Sequence, residues 1–285
     1  MQTNLAPARP RTLQERILRG RWIGKILLIL LLSYATWAIG RQAVESPALF
    51  AEQVKNGLQL GFVYAMIALG YTMVYGIVRL INFAHGDVFM VGAFVSYFAI
   101  SRVNLHLWLA SLAPGLPESV SLLVGTLTVI ILSMVTCAFL AVVIERVAYK
   151  PLRTAPRISA LITAIGVSFF LEYFGALDSV FSPDFITYRR PFPVQVWYIK
   201  DGIHPLVPGT EAPAGSVLFS NIFIIIAVSS IALLILLNFI VRRTKVGKAM
   251  RAVAYDKPTA RLMGINVDGI ISVTFAIGAA LAGAG

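Results

Sequence analysis

Asn82-Phe83-Ala84-His85-Gly86-Asp87 is the stretch of this chain whose residue types could handle a polar ligand in an apolar setting. It offers an amide, an imidazole and a carboxylate, with Arg79 just ahead of them, and apolar runs flank it on both sides. Ionisable groups at bilayer depth cost roughly 2.5 to 3.5 kcal/mol on insertion scales, and they usually face a cavity or a partner. Two readings fit the island. In one it is a polar turn joining two spans, with Asn82 and Asp87 capping the second helix near the headgroups. In the other it breaks a helix, and its turn lines a translocation path. His85 and Asp87 lie two positions apart, so they need not share a helix face.

The elements that must position the island are apolar helices. Gly57 to Val78 carries no charge. At about 1.5 Å per residue it is long enough to cross a hydrocarbon core of roughly 30 Å. Its small residues recur at helical spacing: Gly57, Gly61 and Ala65, then Ala68, Thr72 and Gly76. Between lipid-solvated helices, such stripes permit the close backbone approach that drives association. Gly57, Gly61, Ala65 and Gly76 are therefore expected at a helix–helix contact.

Composition sets the class. Hydrophobic residues make up 58% of the chain and charged residues 13%, against about 25% charged in soluble domains. No run shows the alternation of an outer-membrane barrel strand. The expected fold is an all-α integral membrane protein, a polytopic transmembrane helix bundle read as a single domain over 1–285. The net charge of +11 sits in loop clusters rather than on one basic face, which fits the positive-inside rule and not a nucleic-acid partner. Cys137 is the single cysteine and lies in an apolar run, so no intramolecular disulfide can form.

Taken in order, residues 1–25 form a basic tail expected in the cytoplasm, and 26–40 a first span or anchor. A cleaved signal peptide is the other reading of that short apolar core, but no clear cleavage site follows. Residues 41–55 read as an outer loop, and 57–78 as a span. Residues 80–100 read as either a full span or part of a re-entrant pair. Val120 to Ile144 is the clearest span, ending in the basic cluster 145–157. Residues 158–177 return outward. The segment 178–216 is rich in proline and balances three bases against four acids, which marks an external loop. A span over 217–241 leads to 242–269, the most basic stretch and an expected cytoplasmic coupling segment. Residues 270–285 begin a further span. The chain ends without a polar flank, so it is expected to be truncated, with C-terminal helices missing.

Gly247 to Asn266, GKAMRAVAYDKPTARLMGIN, is too patterned for a plain loop. Ala249, Ala252, Val253 and Asp256 fit one face of a short amphipathic helix. Pro258 with Ala260 to Met263 begins another, stopped by Gly264. The segment is either a basic helix resting on anionic lipid or a docking element for a soluble partner.

GLQLGFVYAMIALGYTMVYGIVRLINFAHGD closely resembles the permease subunits of high-affinity branched-chain amino-acid ABC importers, most of all the LivH-type subunit. The 247–266 stretch resembles the cytoplasmic loop through which such permeases engage their ATPases. The resemblance implies a subunit of the bacterial inner membrane, paired with a second related permease, two cytoplasmic ATPase subunits and a periplasmic substrate-binding protein. It implies alternating access and a substrate of the leucine, isoleucine or valine kind. Asn82, His85, Gly86 and Asp87 become substrate-path candidates. Gly247, Arg251, Ala254, Asp256, Ala260, Gly264 and Asn266 become candidates for ATPase coupling.

No G-x-x-x-x-G-K-[ST] motif occurs, so ATP with its magnesium is expected on partner subunits and no cofactor on this chain. An enzyme is disfavoured, since His85, His106 and His204 are the only histidines and neither H-E-x-x-H nor G-x-S-x-G appears. An ion-coupled secondary transporter or channel is the alternative. It would place paired acids at the midplane, and Asp87 is the sole acid placed deep.

Overall fold

The computed structural model describes residues 13–285 apart from 114, 154, 183–185, 188–191, 201, 208 and 214. Its helices are α1 (Leu13–Glu45), α2 (Pro47–Val78), α3 (His85–Ser101), α4 (Trp108–Leu112), α5 (Glu118–Ile144), α6 (Arg157–Gly175), α7 (Asn221–Arg243), α8 (Lys245–Tyr255), α9 (Lys257–Leu262) and α10 (Val267–Ala284). Among the described residues, six helical stretches are long and apolar enough to cross a membrane: Trp22–Glu45, Pro47–Val78, Glu118–Leu152, Ile158–Gly175, Asn221–Arg243 and Val267–Ala284. His85–Ser101 with Leu105–Leu112 qualifies as a further, broken span bent by 57°. The chain is a polytopic helical membrane protein, as its composition demands.

Several boundaries differ from the sequence reading. The stretch 41–55, read as an outer loop, is helical except at Ser46. Ser46 N–H still donates to Gln42 O and Phe50 N–H to Ser46 O, both at 3.0 Å. The interruption is confined to Ser46, just ahead of Pro47, which lacks an N–H. Charge balance had marked a loop, but Arg41 and Glu45 pair along one exposed helix face at 2.7 Å, an i,i+4 arrangement that favours helix. The first span likewise outgrows 26–40. The proposed tail falls partly on residues 1–12, outside the described residues, and from Leu13 the chain is already α1.

The expected span at 217–241 begins instead with a strand. β1 (Val196–Ile199), β2 (Ile203–Pro205) and β3 (Val217–Ser220) form a small sheet ordered β2-β1-β3. β1 and β2 are antiparallel, with Tyr198 opposite His204. The 178–216 segment thus carries structure of its own, in β1 and β2.

Residue contacts group the chain into two compact units, 1–55 with 197–219, and 56–196 with 220–285. In the first, Leu218 N–H donates to the Glu52 carboxylate at 2.9 Å and Lys55 Nζ donates to Leu218 O. Trp197 stacks on Phe219 with ring centroids 5.6 Å apart.

The second unit holds the core, and α5 shows how it is built. Every fourth residue from Ser121 through Gly125, Val129, Ser133 and Cys137 to Ala141 is buried. Leu123, Leu127, Ile131, Val135 and Phe139, on the opposite face, are exposed. Small and weakly polar residues face inward and large apolar ones outward, the arrangement expected where lipid is as apolar as leucine. Ser133 Oγ lies 2.7 Å from Gly283 O and 3.0 Å from Gly92 O, and Cys137 Sγ donates to Val88 O. These bonds tie α3, α5 and α10 together.

Candidate functional site

The island starts where α2 stops. Arg79 takes φ 61°, a left-handed conformation that bulky residues seldom adopt, and residues 79–84 form a non-helical turn before α3. The island does not cap α3: the N-cap position is Ala84, and no side chain bonds there. Asn82 is buried, and its Oδ1 accepts from the Tyr149 hydroxyl at 2.7 Å. Asp87 in the first turn of α3 accepts from Ser168 Oγ of α6, and its charge there also complements the helix dipole.

His85 is 4% exposed. Its Nε2 lies 3.1 Å from Ile67 O, and the Tyr71 ring is 6.0 Å away. Gly70, about one turn on from Ile67 along α2, lies against α10. A Cβ there would run into the Gly278 carbonyl oxygen and sit 3.1 Å from His85 Nε2. Only a residue without a side chain lets α2 and α10 touch while leaving room for the imidazole.

Asn82, Phe83, His85 and Gly86 join Tyr64, Ile67, Ala68, Tyr71 and Thr72 around an open cleft of about 330 Å³, within the range of small-ligand sites. Asp87 is absent from that lining and faces α6 instead. The structure therefore brings three of the four path candidates together and separates the fourth. The cleft surface is almost wholly apolar, and the Asn82 amide and His85 imidazole that border it are almost fully buried and already hydrogen-bonded. Among the described residues no group of His, Cys, Asp and Glu side chains could hold a metal ion.

A second cavity of about 820 Å³ lies beside it, lined by Tyr149, Glu145, Arg153 and Asp268 and by Val78, Arg79, Ala254, Asp256, Lys257 and Arg261. Tyr149 lines this cavity while its hydrogen-bond partner Asn82 lines the cleft, so that this hydrogen bond links the two linings. Glu145 is fully buried; it bonds Arg153 and accepts from Ser272 Oγ at 2.6 Å. Arg153 also pairs with Asp268, which lies 3.7 Å from Lys150. A buried carboxylate is tolerated only with such partners. The wide, π-type turn Glu145–Tyr149 aims both Glu145 and Tyr149 inward; turns of this kind recur at functional sites.

The 247–266 candidates lie on α8, α9 and the start of α10. Thr244 Oγ1 accepts from Gly247 N–H at 3.1 Å, capping α8. Gly247, Met250 and Val253 form its buried face, and Ala260 is buried on α9. Arg251 donates to Val241 O, which fastens α8 to the end of α7. Asp256 precedes α9 and accepts from Thr259 Oγ1. Gly264 takes φ 80°, and Ile265 N–H reaches back to Ala260 O at 3.1 Å, the left-handed helix stop that glycine permits. The Asn266 side chain caps α10 through Gly269 N–H at 3.0 Å. Tyr255, Leu262 and Met263 are 90%, 88% and 78% exposed, an apolar outer surface on a basic segment.

The small-residue stripe makes no close contact within this chain. Cβ atoms at Gly57, Gly61 and Gly76 would meet nothing within 4 Å, and Ala65 is half-buried. Helix contact falls on Gly70 and Gly278, one face round, because His85 and α10 occupy that side. Tyr149, Ser168, Gly70 and Lys257 escaped the sequence reading. Tyr149 had a readable signal: it and Glu145 extend the every-fourth pattern of α5, obscured by the neighbouring charges that marked a loop.

The description "Branched-chain amino acid transport system / permease component" belongs to the family model that matches residues 53–285. The chain is 36% identical over 237 residues to the high-affinity branched-chain amino acid transport system permease protein BraD of Pseudomonas aeruginosa. It is 38% identical to the LivH proteins of Salmonella typhimurium, over 242 residues, and Escherichia coli K12, over 233. Each alignment covers 82% of this chain and 68% of the relative. No solved structure matches.

Proposed function

Since the chain belongs to the permease family of branched-chain amino-acid ABC transporters, we propose that it forms half of the membrane path of an importer for leucine, isoleucine or valine. The observation that carries this reading is the apolar cleft bordered by the almost fully buried Asn82 and His85. Apolar walls suit a branched side chain, and the amide and imidazole suit the charged ammonium and carboxylate of an amino acid. In this reading a second related permease completes the path, and a periplasmic binding protein delivers the substrate.

Two cytoplasmic ATPase subunits, which bind the ATP and magnesium, dock on α8 and α9 through Tyr255, Leu262 and Met263. ATP-driven closure of the ATPase pair moves this segment and switches the path between its two openings. The seven bases against two acids over residues 242–269 favour the cytoplasmic side of the inner membrane for this segment, and in this reading the N-terminal tail lies there too. The chain performs no covalent chemistry on the substrate.

The test is leucine uptake in proteoliposomes that contain the permease pair, the ATPases and external binding protein. Uptake should require ATP inside, and His85→Ala should lower it at least tenfold while the ATPases still co-purify. Unchanged uptake in that variant would return the island to a structural turn. Uptake driven by an ion gradient without ATPases would make the chain a secondary transporter.

A further inference from the structure

Two cations cross-link the end of α2 to the α8–α9 junction. Arg79, the residue after α2, donates through Nη2 to Ala254 O at 3.2 Å, in the last turn of α8. Lys257, which opens α9, donates through Nζ to Val78 O at 2.9 Å, the last residue of α2. Each helix end leaves carbonyls without an intrahelical partner, and each is capped here by a cation from just beyond the other helix. Neither Arg79 nor Lys257 has a carboxylate partner among the described residues. The two bonds run in opposite directions across one junction, so the helix ends cannot part without breaking both.

Arg79 is an uncommon choice for its backbone. Glycine would adopt φ 61° freely, but glycine has nothing to reach Ala254. A strained conformation held by a functional side chain points to a role for that side chain. The strain also sets the direction of the turn: three residues on, Asn82 meets Tyr149, and three further, His85 packs over Gly70. All four clasp positions, Val78, Arg79, Ala254 and Lys257, line the cavity of about 820 Å³, which gives the junction space to move. Burial and the neighbouring Arg153 and Arg79 hold the Lys257 pKa below the ordinary lysine value, consistent with an ammonium kept inside the junction.

We propose that this reciprocal Arg79–Lys257 clasp is the mechanical link by which movement of α8 and α9 shifts the 79–84 turn and parts or closes the Asn82–Tyr149 contact that links the linings of the cleft and the cavity. Arg79 and Lys257 act as positioning residues; neither is assigned to substrate. The inference rests on the ATP-driven reading above.

The experiment measures leucine uptake and ATP hydrolysis together in the reconstituted complex for wild type, Arg79→Ala, Lys257→Ala, the double variant, Lys257→Gln and Lys257→Arg. The alanine variants should assemble and hydrolyse ATP within about twofold of wild type, while leucine moved per ATP falls at least tenfold. The double variant should be no worse than the worse single, because both residues hold one junction. Lys257→Arg should restore most of the ratio and Lys257→Gln little of it. A wild-type ratio in the single variants, or losses that multiply in the double, would overturn the clasp. If the alanine variants fail to assemble, the glutamine variant decides: a wild-type ratio there overturns the proposal and a reduced one supports it. A wild-type complex without ATP-dependent uptake would overturn the import reading and the clasp together, whereas coupled wild type with coupled variants overturns the clasp alone.

Discussion

Lys257 carries a residue-scale consequence that is open to titration. Its ammonium is disfavoured first by burial and then by Arg153 and Arg79. The charged groups lining the same cavity are Arg79, Arg153 and Arg261 against Glu145, Asp256 and Asp268. A lowered folded-state pKa means that, between it and the ordinary lysine value of about 10.4, the unfolded chain binds more protons than the folded one. Through that window folding stability rises with pH, while the charge-assisted cap on Val78 is lost. Leucine moved per ATP should therefore decline at a lower pH than an ordinary lysine would impose. Lys257→Arg, charged at every accessible pH, should move the decline upward. Superimposable pH profiles for the two proteins would show that this proton is irrelevant to coupling.

Among the elements, α2 and α10 approach closely at Gly70 and Gly278. Gly70→Val would drive a branched side chain into the Gly278 carbonyl and the His85 ring. Overpacking of this kind costs about 1 to 3 kcal/mol, and here it would also displace His85 from the cleft. The expected result is a lower thermal midpoint in detergent together with loss of uptake. Gly57→Val and Gly61→Val, which meet open space, should leave the midpoint of the isolated chain unchanged; an equal drop in all three would move the helix contact back to the stripe. The stripe was legible as a pattern, since period-four spacing marks one face of a helix. Its partner was not legible, because α10 lies some 200 residues downstream and local spacing says nothing about which face a distant helix will take.

At the scale of the whole molecule, the ends of α2 and α5, the start of α10, and α8 with α9 all border one cavity. The basic clusters 145–157 and 242–269 therefore meet at one end of their unit. Cysteine labelling in membrane vesicles tests the orientation assigned to that end. With Cys137 buried, Tyr255→Cys should react with an impermeant maleimide from the cytoplasmic side only, and docked ATPases should protect it. Ile203→Cys in the exposed β2 strand should react from the opposite side only. The reverse pattern would invert the topology.

Composition and period alone determined that this is a helical membrane protein, where its longest spans run, which segments are too charged or too proline-rich to enter a bilayer, and that residues 82–87 are out of place in their surroundings. These properties are local: hydropathy, helical spacing and capping residues act over a few turns and can be read one window at a time. The tertiary structure alone decided that Asn82 answers to Tyr149 and Asp87 to Ser168, that His85 rather than the glycine stripe shares the α2–α10 contact, and that Arg79 and Lys257 cap one another's helices. Each of those pairings joins residues that packing brings together from distant parts of the chain. A polar group buried in a bundle must find its partner wherever the helices cross, and no rule of spacing along the chain says where that will be.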